Sequence, residues 1–148
     1  MFYNTNVIPS YPIEIFTNET IVHSGGLKGL FSKTKITDND LMNILPINSE
    51  GKYYLPVLTL ANNCYDYMFE NCSYLTTSPE LPATNNIGSG GYSTIFNGCN
   101  SLISGPSILP ATSLSIRCYY NMFNGCVSLV NPPELPSVNL SEGCYENM

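Results

Sequence analysis

The chain has 148 residues, enough for one ordinary domain, and 43% of them are apolar, enough for a core. Only 11% are charged, under half the usual share, and a net charge of −6 with five basic residues argues against nucleic-acid binding, which needs clustered Lys and Arg. No apolar run of about 18 residues is available to cross a membrane, and a surface of Asn, Ser, Thr, Tyr and Pro suits an extracellular, glycan-facing or assembled protein.

The opening "MFYNTNVIPS" has neither a basic n-region nor an apolar h-region, so it does not read as a signal peptide; an export signal would lie outside this chain. Lys28, Lys33 and Lys35 form a small basic group. "DND" at Asp38–Asp40 is similar to the start of a calcium loop, but without the following Gly and distal Glu it reads as an ordinary turn. "NSEGKYY", Asn48 to Tyr54, reads as an insertion forming a protruding turn or hairpin.

From there the chain repeats. The Phe of an "MF"-like pair recurs as Phe2, Phe31, Phe69, Phe96 and Phe123, at spacings of 29, 38, 27 and 27. Other columns keep register with it: Leu60, Ile87, Leu114 and Leu140; Tyr65, Tyr92, Tyr119 and Tyr145; Cys72, Cys99 and Cys126; Leu75, Leu102 and Leu129; Pro79, Pro106 and Pro133. The repeat is regular over 55–148 and degenerate over 1–54, where Ile8 and Pro12 keep two of its columns. A period of 26 to 27 lies in the leucine-rich-repeat range. In "IRCYYNMFNGC" the residues Cys118, Tyr119, Met122, Phe123 and Cys126 share one face of a short predicted helix. Gly98, Gly125 and Asn71 stand in its left-handed C-terminal slot. "GSGG", Gly88 to Gly91, replaces a column Cys and predicts a late-starting or frayed helix. The following "SLVNPPELP" predicts an extended segment with Leu129 and Leu135 inward, kept short by a Pro in every copy.

The expected fold is therefore α/β: a leucine-rich-repeat solenoid of about five units of 26–38 residues, each a short strand plus a short helix, with 1–54 degenerate and 55–148 regular. One unit cannot bury enough apolar area alone, so neighbours must stack. Phe31, Phe69, Phe96 and Phe123 are expected to form one buried row, Leu75, Leu102 and Leu129 a second, and Cys72, Cys99 and Cys126 a third. The chain starts inside the motif and stops at Met148, where a Phe is due. That phase predicts a slice of a longer array with uncapped, self-associating ends.

These columns resemble the BspA-like leucine-rich repeats of bacterial surface proteins. Phe123, Gly125, Cys126, Ser128 and Leu129 match their F-x-G-C-x-S-L, as do Phe96, Gly98, Cys99, Ser101 and Leu102; "FENCSYL" from Phe69 matches with Asn for Gly and Tyr for Ser. The units here differ by a Met or Ile before the Phe, an added C-Y and a few more residues. The resemblance implies a non-enzymatic module displayed on a cell surface for adhesion, binding protein or glycan on another surface.

Candidate chemistry is sparse. With no C-x-x-C and with His23 the only His, the six cysteines read as buried thiols rather than a zinc site or a disulfide framework. The Tyr65, Tyr92, Tyr119 and Tyr145 column is the best binding candidate, since stacked aromatics with hydroxyl tips can bind sugar faces or protein grooves, but it reads first as packing beside the Phe row. Tyr53, Tyr54, Tyr67 and Tyr120 lie off the ladder and form the candidate exposed binding surface. Glu80 and Glu134 occupy equivalent slots two units apart, but nothing in the sequence makes them an acid–base pair. Asn18, Asn71 and Asn139 open glycosylation sequons, relevant only in a eukaryotic secretory setting. The expectation is no enzyme, no cofactor and no metal. The alternative is a structural segment of a virion fibre or extracellular filament, whose partners are further copies or flanking repeats of the same assembly.

Overall fold

The computed structural model describes residues 24–83 and 85–148; Phe2, Ile8, Pro12, Asn18 and His23 lie outside the described residues. Backbone conformation in the repeated motif follows a four-residue rhythm. Asn63, Tyr67 and Asn71 have φ of 53°, 58° and 56°; Gly90, Thr94 and Gly98 have 65°, 52° and 74°; Arg117, Asn121 and Gly125 have 53°, 51° and 77°. A left-handed residue at every fourth position cannot belong to an α-helix, whose φ values are all negative.

The hydrogen bonds follow the same rhythm. Asp66, Met68 and Glu70 donate to the carbonyls of Asn63, Tyr65 and Tyr67 at 3.1–3.3 Å, closing turns within one copy. The residues between them, Tyr65, Tyr67, Phe69 and Asn71, donate to Gly91, Ser93, Ile95 and Asn97 of the next copy at 2.7–3.1 Å. Each copy is thus a layer of linked turns laid on the next. Tyr92 to Cys118 at 2.9 Å and Tyr119 to Cys144 at 3.0 Å continue the pattern.

This overturns the expected α/β leucine-rich-repeat solenoid. The "CYYNMFNGC" segments are turns, not helices. The one helix among the described residues, α1 (Asp38–Ile44), lies outside the motif. Among the described residues the strands are β1 (Thr59–Leu60) and β2 (Asn85–Ile87), one short parallel pair. Elsewhere the layers meet through single parallel bridges, such as Thr77 with Ser104 and Ser104 with Asn131. The recurring prolines explain the brevity, because a Pro gives the ladder no N–H. The "GSGG" segment has no helix to fray. Gly91 is buried there, and a Cβ on it would lie 2.8 Å from Ile87 Cγ2 and 3.0 Å from the Gly88 carbonyl, so no larger residue fits without displacing them.

Helix α1 forms where "DND" reads as a turn. Thr37 caps it: its Oγ1 accepts from Asp40 N–H at 3.3 Å, and Asp40 Oδ2 accepts from Thr37 N–H at 2.8 Å. Asp38 and Asp40 sit in the first turn, where the helix dipole favours negative charge. Asp38 also accepts from Thr76 N–H at 2.9 Å and Thr76 Oγ1 at 2.6 Å, tying the helix to the adjoining layer, while Leu41 and Ile44 face the core.

Inside the layers the rings stack. Phe31–Phe69, Phe69–Phe96 and Phe96–Phe123 have centroids 5.6, 5.7 and 5.8 Å apart. Tyr65–Tyr92, Tyr92–Tyr119 and Tyr119–Tyr145 are 5.6, 5.8 and 5.6 Å apart. Leu75 and Leu102 are buried, and Leu129 is half-buried. Cys72, Cys99 and Cys126 donate from Sγ to the carbonyls of Phe31, Phe69 and Phe96 at 3.0–3.1 Å. All six cysteines are buried free thiols. Burial pushes the Cys72 and Cys126 thiols up to about 11 and those of Cys64 and Cys118 up to about 12, so all four stay protonated and unreactive at neutral pH.

Candidate functional site

The insertion folds back over the layers rather than standing clear of them. Ile47 and Tyr53 form an antiparallel bridge, Asn48 N–H donates to the Lys52 carbonyl at 2.8 Å, and Gly51 N–H donates to the Asn48 carbonyl at 3.0 Å. Asn48 Oδ1 accepts from the amides of Glu50 and Lys52, each at 3.0 Å, which fixes the turn from inside. Gly51, at φ 79°, supplies the left-handed residue.

Between this hairpin and the stacked layers runs a groove of about 390 Å³. Its hairpin wall is Gly51, Lys52 and Tyr53. Its floor crosses three layers through Thr77, Ser104 and Asn131, with Ser78, Gly105 and Pro132 beside them. Glu80 and Ser107 also line it.

Charge in the groove is locally compensated. Lys52 Nζ lies 3.2 Å from Glu80 Oε1 and 3.6 Å from Glu50 Oε2, and donates to Ser107 Oγ at 2.5 Å. Glu80 also accepts from Ser107 N–H at 2.9 Å and Ser107 Oγ at 2.7 Å. The hydrogen bond to Glu80 raises the Lys52 ammonium above its ordinary pKa. Asn131 Nδ2 donates to Ser104 Oγ at 3.2 Å. Ser78 is buried and its Oγ has no hydrogen-bond partner in the described protein.

The four tyrosines expected to form an exposed binding surface do not do so together. Tyr53 is a correction: it is only 6% exposed, and its hydroxyl donates to the Thr77 carbonyl at 2.6 Å, so it seats the hairpin. Burial pushes that phenol far above its ordinary range. Tyr54 is half-buried and bridged to Glu80. Tyr67 and Tyr120 are half-buried on the turn runs, each beneath a cation: Lys28 Nζ at 5.1 Å and Arg117 Cζ at 5.3 Å from the ring centroids. Lys28 also pairs at 2.9 Å with buried Asp66, which accepts from Thr94 Oγ1 at 2.7 Å.

Tyr65, Tyr92 and Tyr119 are core residues, and Tyr145 is half-buried against them. The hydroxyls of Tyr65, Tyr92, Tyr119 and Tyr145 close no hydrogen bond of good geometry within the described protein; the Val57 and Ala83 backbones only approach the first two. Glu134 is exposed and two layers from Glu80, with Ser107 between them. Among the described residues, no group of three or more His, Cys, Asp or Glu is placed to hold a metal ion.

The groove floor is a further repeat column, beside those of Phe, Cys, Leu and Pro. Thr77, Ser104 and Asn131 each stand eight residues after a ladder Phe and two before a column Pro. A polar residue held in register beside the proline column was the available signal. No protein-family model matches the chain, no curated protein matches it, and no solved structure matches it.

Proposed function

We propose that the chain is a non-enzymatic module, displayed outside the cell, that binds another macromolecule through the groove beside the hairpin. The observation that carries this reading is the groove's composition. Its floor is a register of hydroxyl and amide side chains across three layers, and its one lysine is already paired. Such a site offers hydrogen bonds without a net charge or a nucleophile activated by a base. The likeness of "FNGCNSL" and "FNGCVSL" to BspA-like surface repeats supports display and adhesion rather than catalysis.

The test is saturable binding of the labelled protein to immobilised extracellular-matrix and cell-surface preparations. Binding that Ser104→Arg abolishes, with Tm unchanged, supports the reading. Absence of saturable binding to every preparation overturns it.

A second reading, a structural segment of a fibre or filament, has its own observation. Val127, Val130, Leu135, Val138 and Leu140 are all exposed, and Leu135 and Leu140 stand at column positions that earlier layers bury. A cavity of about 520 Å³ opens there between Phe123, Leu129, Leu135 and Tyr145. Concentration-dependent sedimentation that Leu135→Glu suppresses would support that reading; sedimentation as a single species at all concentrations would count against it.

A further inference from the structure

From the same groove we infer a ligand class: a neutral saccharide, held by its hydroxyls along the Thr77, Ser104 and Asn131 column. This rests on the proposed binding role and narrows it.

Charge disfavours ionic ligands. All the charge lining the groove belongs to Lys52 and Glu80, which satisfy each other, and Glu50 stands on the far side of the same ammonium. An anionic group would meet Glu80 and Glu50. A cationic one would meet Lys52, whose ammonium already pairs with Glu80 at 3.2 Å and donates to Ser107 Oγ.

The backbone disfavours a peptide laid on as an added strand. That mode needs free main-chain donors along an edge. Here the N–H groups of Lys52, Thr77, Ser78, Ser104, Gly105 and Ser107 are all consumed, by Asn48 Oδ1, Asp38 Oδ1, the carbonyls of Ser104, Thr76 and Asn131, and Glu80 Oε2. Pro106 and Pro132 have none to give. Nor is there an empty aromatic pocket to anchor a peptide side chain, because Tyr53 packs beside the groove with its own hydroxyl engaged.

What remains available is side-chain hydroxyl and amide. The Ser104 hydroxyl accepts from Asn131 and keeps its own proton to donate, while Asn131 Oδ1 remains an acceptor. Ser78, 5% exposed, lines the groove with an Oγ that has no partner in the protein, a buried polar atom that calls for one. Sugar hydroxyls both donate and accept, so they match such a lining. Pro132, exposed at the groove, supplies an apolar ring against which the C–H face of a pyranose can pack. The volume, about 390 Å³, lies in the range of small-molecule sites. The column of hydroxyl and amide side chains also advances by one layer at a time, about 4.8 Å, which suits a chain of sugars more than an isolated one.

The experiment is calorimetric or saturation-transfer titration of the intact chain with cellotetraose, maltotetraose, xylotetraose and chitotetraose at millimolar concentration, with heparin as the charged comparison. The expected result is binding of at least one neutral tetrasaccharide, weakened about tenfold or more by Asn131→Arg, which fills the groove from an exposed position, and by Ser78→Ala, which removes the buried hydroxyl. Both variants should keep the wild-type Tm, because Asn131 is exposed and the Ser78 hydroxyl has no protein partner to lose. The inference is overturned if none of the four binds, if heparin alone binds, or if neither variant weakens the binding seen. Retained binding to matrix or cells with no neutral saccharide bound would leave the module role standing and discard this ligand.

Discussion

The middle layers and the last one share a motif and differ in what lies on either side of them. Phe69 and Phe96 are sandwiched between rings and wholly buried; Phe123 stacks on Phe96 alone. Leu109 is 0% exposed and its counterpart Leu135 is 47% exposed; Leu114 is 5% exposed and Leu140 is 63%. Residue type is the same in each pair. Burial here belongs to the interface between layers, not to the unit, so stability accumulates with each interface formed.

Truncating the rings tests this most severely. Phe96→Ala is expected to cost about 3–5 kcal/mol, as for a core aromatic, and Phe123→Ala clearly less, since one of its faces has no ring on it. Leu109→Ala against Leu135→Ala should show the same asymmetry, about 2–5 kcal/mol against under about 1. Urea denaturation of the four variants measures it. Equal costs within either pair would break the comparison.

Thiol chemistry sharpens it at intermediate size. Burial holds Cys99 well above its ordinary range and Cys126, nearer the last layer, at about 11. Native alkylation should therefore reach Cys126 before Cys99, and denaturation without reductant should release six thiols. The pH dependence follows from the same shifts. Thiols whose folded pKa is raised from 9.0 to about 11 or 12 stabilise the fold fully below about pH 9, and that contribution is lost as pH rises through the folded values. A stability maximum above pH 10 would contradict it.

The smallest difference is expected at the left-handed glycines. In Gly98→Ala the new Cβ would lie 2.1 Å from Asn71 Oδ1, and in Gly125→Ala 3.4 Å from Gly98 Cα. Both pay about 1 kcal/mol for a side chain at positive φ; only the first must also displace a neighbour. A Tm for Gly98→Ala no lower than that for Gly125→Ala would remove the distinction.

The contacts that join Phe31, Phe69, Phe96 and Phe123 were legible because a constant offset in sequence becomes a constant position when layers stack. The secondary structure was not. Cys118, Tyr119, Met122, Phe123 and Cys126 fit a helical face, but they fit a four-residue run of turns equally well, and the choice lies in φ. The visible clue was Gly or Asn at Asn63, Asn71, Gly90, Gly98, Asn121 and Gly125, four or eight residues apart within each layer. Tyr67, Thr94 and Arg117 hide the rhythm, since nothing in their chemistry announces a left-handed backbone. Helix α1 is legible as a Thr37–Asp40 capping box, a signal that the loop-like composition of "DND" masks. Tyr53 was misplaced because the direction in which an insertion folds is set by what it lands on, which its own residues do not state.

The alternating hydrogen bonds make the molecule mechanically directional. Every second amide of a turn run binds its layer to itself, and the others bind it to the next. Tension pulling the last described layer away from its neighbour would open its inter-layer bonds one after another, like a seam unpicked from its end. The inner turns keep their grip until their own layer is reached. Each released layer of about 26 residues pays out about 90 Å of extended chain. Extension would therefore proceed in steps of one repeat, with the remaining layers intact under load, so that the protein lengthens under force without losing its fold all at once.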